Sequence, residues 1–234
     1  MRIFSVCLLF FFLLIFLNVP LSLAHTDYQF PSYSEGQVNE ALEKTVPLRF
    51  LPSNPLYFLI TAKETVSRFF RPSSLEKARF DFILTGKRLK ESYLLLEKGD
   101  VKNASKSLGR YSGRLDSMKR QMEKARSQNQ SVVAFADETT EGLKLHEVLL
   151  SAISKKWQNY QEGYNFDDNF DAAFGEFINT ILTIDNIKPG IKNRFKTATS
   201  SASLESEPSV GPSPTPALEI LETSPSAKPR RIIY

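Results

Sequence analysis

The residues from which a reactive site could be assembled are few. The 234-residue chain holds two histidines and one cysteine. Cys7 lies in an apolar N-terminal run, so no disulfide pair and no cysteine ligand set can form within one chain. His25 would sit at the new N-terminus if the chain were cut after Ala24. A free amine beside an imidazole can take copper or nickel, but a terminal histidine is ordinarily only an end. His146 falls on the apolar side of a helical pattern, where one histidine reads as a hydrogen-bonded core residue before a ligand or switch. Its neighbour Glu147 projects in another direction and makes no metal spacing with it. Asp167, Asn169 and Asp171 are similar to the opening of a calcium loop. The glycine due at the sixth position is Ala172 and the glutamate due at the twelfth is Ile178, which excludes that loop. No nucleophile elbow and no phosphate-cradling glycine loop is present. Trp157, Tyr160 and Tyr164 form an aromatic cluster that reads as a lid on the core, with sugar or membrane contact as the other reading. The sequence therefore predicts no catalytic residue, no cofactor and no metal.

One polar pattern stands out. Lys98, Lys102, Lys106, Arg110 and Arg114 recur every four residues, and residues 55–157 carry 20 Lys plus Arg against 12 Asp plus Glu. Such a row reads first as a solvated face neutralised by acids on the next helix. Its functional reading is a stripe for an anionic envelope polymer or lipid headgroups. Spacing by four drifts about 40° per step around a helix, so the five side chains spiral rather than align. No nucleic-acid module accompanies the row.

The elements that must position these residues are helices. Glycine is sparse, at 10 residues, and β-branched alternation is absent. Ser34 to Glu43 suits a short helix. A first main helix is expected from Pro55 to Phe70, with Asn54 as N-cap. A second runs from Ser74 to Lys98, opened by a Ser73–Glu76 capping box and ended at Gly99 in a left-handed conformation. Asp100 caps a third, from Val101 to Arg126. There Val101, Ala104, Leu108, Tyr111, Leu115, Met118, Met122 and Ala125 alternate at three and four, a bundle seam. A fourth runs from Val132 to Trp157 and a fifth from Asp168 to Ile184. Short connections make neighbours antiparallel. The expected fold is all-α: an elongated antiparallel bundle of three long helices plus one or two shorter ones, with no sheet.

The ends read differently. Met1-Arg2, the apolar run Ile3–Leu17, Pro20 and the triplet Ser22-Leu23-Ala24 have the layout of a secretory signal peptide cut after Ala24. The same stretch is just long enough to stay as an uncleaved membrane anchor. Both readings place the remainder outside the cytoplasm. Residues 25–53 read as an irregular lead-in, 54–196 as the bundle, and 197–234, rich in serine and proline, as a disordered tail.

The run Leu51-Pro52-Ser53-Asn54-Pro55-Leu56-Tyr57-Phe58-Leu59 is followed by Lys63-Glu64, Leu75-Glu76-Lys77-Ala78, Lys87-Arg88-Leu89-Lys90-Glu91 and Glu97-Lys98-Gly99-Asp100. Together these resemble the bacterial domain of unknown function 5667, over about residues 51–153. The resemblance implies an exported helical bundle and no established activity. The expected role is a non-catalytic extracytoplasmic module that binds or spaces envelope components: anionic polymer, lipid headgroups or another envelope protein. The alternative is an envelope chaperone or stress sensor with a cationic helical surface.

Overall fold

The computed structural model describes residues 30–160 and 165–196. The apolar run at Ile3–Leu17, the cleavage point expected at Ala24, His25, Tyr164 and the tail 197–234 lie outside the described residues. Six α-helices and one 3-10 turn make up the described chain, and no strand occurs in it: α1 Glu35–Lys44, α2 Tyr57–Phe69, α3 Ser74–Glu97, α4 Val101–Ser127, α5 Val133–Trp157 and α6 Phe166–Asp185, then the turn Lys192–Arg194. No helix among the described residues is long and apolar enough to cross a membrane.

The helix ends follow local chemistry. Gly99 has φ +73, and the amides of Gly99 and Asp100 reach back to the carbonyls of Leu96 and Leu95. That is a Schellman ending, and Asp100 then caps α4 by accepting from the Asn103 amide at 3.2 Å. Asn129, at φ 56, ends α4 the same way, with Gln130 N–H donating to the Ala125 carbonyl. Ser73 accepts from the Glu76 amide at 3.1 Å, one half of the expected capping box. The other box forms at α1, where Ser34 and Gln37 satisfy each other's backbone. At α2 the expected start moves: Pro55 lies in a turn and Asn54 accepts from the Leu56 amide at 2.9 Å, so regular helix begins at Tyr57.

All eight seam residues of α4 are buried. Cross-contacts give the order of packing. Ser92 meets Ala104 and Asp81 meets Arg114, so α3 and α4 are antiparallel. Tyr93 meets Lys156 and Phe82 meets Phe135, which makes α5 parallel to α3. α6 returns along α5, from Trp157–Phe166 at one end to Asp137–Lys188 at the other, and packs its Phe170, Phe174 and Phe177 into the same core. The bundle thus has four long helices, with α6 a full member. The lead-in also joins it: Val38, Ala41 and Thr45 are buried, and Lys90 donates to the Leu42 carbonyl at 2.6 Å.

α3 is the central helix. It is buried not only along its apolar positions but also at Asp81, Thr85, Lys87, Arg88, Glu91 and Ser92. Of these, Asp81, Lys87, Arg88 and Glu91 face α2.

Candidate docking site

α2 turns the usual amphipathic arrangement inside out. Tyr57, Thr61, Glu64 and Arg68 follow one another at four, three and four residues and so share one helix face. Tyr57, Glu64 and Arg68 on that face lie against the bundle, Tyr57 and Glu64 only 6% and 7% exposed, while Thr61 stays open to solvent. Phe58, Leu59, Val66, Phe69 and Phe70 occupy the opposite side and point to solvent, with Phe58, Phe69 and Phe70 at 64%, 78% and 75%. A surface helix normally buries its apolar stripe.

Two ionic clusters hold the inner face. In the first, Arg68 of α2 forks onto Asp81 of α3, Nε donating to Oδ1 at 2.8 Å and Nη2 to Oδ2 at 2.8 Å. Asp81 also accepts from Arg114 Nη1 at 3.0 Å and from Ser117 Oγ at 2.9 Å, both on α4. Its carboxylate is fully buried and its lone pairs are filled. These hydrogen bonds hold the Arg68 guanidinium above its usual pKa. In the second cluster, Glu64 of α2 accepts from Lys87 Nζ at 2.5 Å and from Arg88 Nη2. Arg88 also donates to Glu91, at 2.8 and 2.9 Å, and to the hydroxyl of Tyr57. Tyr57 in turn donates to Glu91 at 2.9 Å. Burial works against the charge on Arg88, but Glu91 and Glu64 more than restore it. Burial, then the Glu91 charge, raises the Tyr57 phenol above its ordinary value, so it stays a donor. Glu64 and Glu91 each sit against cations, an arrangement suited to clamping a helix in place. Tyr57, Glu64, Lys87, Arg88 and Glu91 all belong to the runs that carry the family resemblance.

The basic row divides. Lys98 lies off α4, as the C-cap of α3. Lys102 and Lys106 are exposed beside a cleft of about 290 Å³ shared with Ser105, Asn165 and Asn169. Arg110 turns its guanidinium over the Tyr57 ring, 5.4 Å from the centroid, and Arg114 is spent on Asp81. So the later two residues support α2, while Lys102 and Lys106 lie on the first turns of α4 and Lys98 before it.

The other residues of interest serve the core. His146 is buried, its Nδ1 3.5 Å from the Tyr111 hydroxyl, and burial lowers its pKa to about 3. Its Nε2 lies 3.2 Å from where a β-carbon on Gly86 would be. Glu147, next along, is buried and accepts from Tyr33 at 3.0 Å. Trp157 stacks on Phe166 at 4.2 Å and on Tyr160 at 5.9 Å, closing the end of the core. Asp167, Asn169 and Asp171 all lie within α6. In a groove of about 910 Å³ between α1, α3 and α5, Lys156 pairs with Glu97 at 3.1 Å and Ser151 donates to the Pro31 carbonyl at 3.0 Å.

Comparison with curated proteins and with solved structures yields no match. Residues 49–156, from the approach to α2 to the end of α5, match the family model described as Domain of unknown function (DUF5667).

Proposed function

We propose that the protein is a non-catalytic module of the cell envelope, placed outside the cytoplasm, that holds on to another envelope component through the outer face of α2. The observation that carries this reading is the inversion of that helix. Burying Tyr57 and Glu64 and turning Arg68 inward while leaving Phe58, Phe69 and Phe70 in water is a poor arrangement for an isolated surface helix. It becomes a favourable one when something apolar covers the rings, and contiguous exposed apolar surface commonly marks such contacts. The signal-like start, Ile3–Leu17 with Ser22-Leu23-Ala24, supports placement in the envelope. The carboxylates between α2 and α3 support a structural role, since Asp81, Glu64 and Glu91 are each committed to a cation.

The test uses the full-length chain with Cys7, its only cysteine, changed to serine and one new thiol introduced. Envelope preparations carrying Phe69→Cys or Asn179→Cys, an exposed position on α6, are treated with a water-soluble maleimide. The Phe69→Cys thiol should react about tenfold or more slowly than the Asn179→Cys thiol, and denaturation in urea should abolish the difference. Equal native rates would overturn the docking reading; equal rates together with suppressed aggregation of a model client would favour the chaperone alternative.

A further inference from the structure

What covers α2 is indicated by the charges around its apolar face. From Arg49 to Ser73 the single acid is Glu64, and it is turned inward onto Lys87 and Arg88. The exposed charges of this segment are Arg49, Lys63 and Arg71, all cations. The surface is therefore three phenylalanine rings with Leu59 and Val66 between them, accompanied in sequence by Leu56 and Phe50, in a segment whose exposed charges are all positive. A second copy docking on this face would bring two cationic borders together, which electrostatics opposes. A partner with an apolar interior and a negative rim has no such conflict. The 13-residue helix is about 20 Å long, too short to span hydrocarbon but of a length that can lie along its boundary.

We infer that α2 is an interfacial helix: it lies in the headgroup region of an anionic lipid bilayer, with Phe58, Phe69 and Phe70 in the acyl boundary and Arg49, Lys63 and Arg71 among the acidic headgroups. This rests on the reading of α2 as a docking face and names its occupant. The ionic clusters have a second use in this arrangement. They satisfy the polar side of α2 within the protein, so the helix can be pressed onto lipid without being pulled from the bundle.

The experiment uses the full-length chain with Cys7→Ser and Phe69→Cys carrying an environment-sensitive fluorophore, in nanodiscs of phosphatidylcholine alone or with phosphatidylglycerol. The N-terminal apolar run is present in both, so the difference reports on α2. A blue shift and a severalfold rise in emission are expected with phosphatidylglycerol, reduced in pure phosphatidylcholine, and absent for a label at Asn179. Binding should weaken about fivefold for each of Lys63→Gln and Arg71→Gln, and fall between 0.01 M and 0.15 M salt, where the screening length drops from about 30 Å to about 8 Å. A water-like Phe69→Cys label in phosphatidylglycerol discs, with helical circular dichroism intact, would overturn the lipid assignment. If the same thiol is nonetheless shielded in envelope preparations, the docking reading stands with a different occupant. If it is shielded in neither, both fall.

Discussion

α4 and α2 are both attached to α3, by opposite chemistry. α4 meets it through Ala104, Leu108, Tyr111, Leu115 and Met118, which leave water and give nothing to solvent in return. α2 meets it through Arg68–Asp81, Glu64–Arg88 and Tyr57–Glu91, and keeps its apolar residues outside. Apolar burial is non-directional and gives of the order of 25 cal/mol per Å². An ionic contact is directional, and its Coulomb gain is set against the cost of dehydrating both partners. The first kind of contact makes a bundle; the second fixes one helix in one rotation, because turning α2 by even one residue would put Phe58 against Arg88 and Glu64 in water. The contrast teaches that α2 is held for orientation, and that its orientation is what presents the rings.

The comparison can be broken at four points, in falling order of effect. Leu115→Asp places an uncompensated charge in the middle of the seam. It should cost several kcal/mol against a total stability of roughly 5–15, and the helical circular-dichroism signal should be lost; an unchanged melting curve would contradict the seam. Asp81→Ala strips the acceptor shared by Arg68, Arg114 and Ser117. A loss of about 3–5 kcal/mol is expected in urea unfolding. Hydrogen exchange should show α2 opening before α4; simultaneous opening would mean α2 is held by more than its ion pairs.

His146 tests the seam side by pH. Its folded pKa, about 3, lies below the unfolded value of about 6.5, so the unfolded chain takes up the proton first. The neutral ring's contribution is whole above pH 6.5. It then declines by about 1.4 kcal/mol per pH unit as acid is added, levelling near the folded pKa. A His146→Gln variant should show a flatter acid limb, and an identical limb would remove His146 as the cause. The smallest effect belongs to Phe58→Ser with Phe69→Ser and Phe70→Ser. Three exposed rings should change unfolding free energy by no more than about 0.5 kcal/mol each, in contrast to any seam residue. A large drop in melting temperature would mean that the rings pack within the protein after all.

How far the sequence foretells this depends on which force sets each element. The seam of α4, the Gly99 ending and the Asp100 cap were legible, because each rests on period or on one residue's backbone preference. α6 was legible as a helix, but its rank as a full bundle member was not, since its apolar face says nothing of which neighbours it meets. The inversion of α2 is not legible in apolar spacing alone, which ordinarily marks the inward side. The signal was present: Tyr57, Glu64 and Arg68 share one face of α2, and Asp81, Arg88 and Glu91 share one side of α3. Two helices with complementary charged sides can pair through them. Gly86 was also opaque by itself; its lack of a side chain makes sense only beside His146, 60 positions along the chain. Repetition in the basic row says nothing of Tyr57 and Asp81, against which Arg110 and Arg114 lie.

The division of α2 into two faces has a consequence for how the chain can change over generations. Residues that secure the fold, Tyr57, Glu64 and Arg68, alternate with residues that contribute little to it, Phe58, Val66 and Phe69. Substitutions on the outer face are therefore close to neutral for folding while altering what the surface adheres to. Substitutions on the inner face are constrained in matched sets, since losing one charge strands another. One short helix thus separates heritable shape from adjustable adhesion, and relatives could diverge in what they hold without renegotiating how they fold.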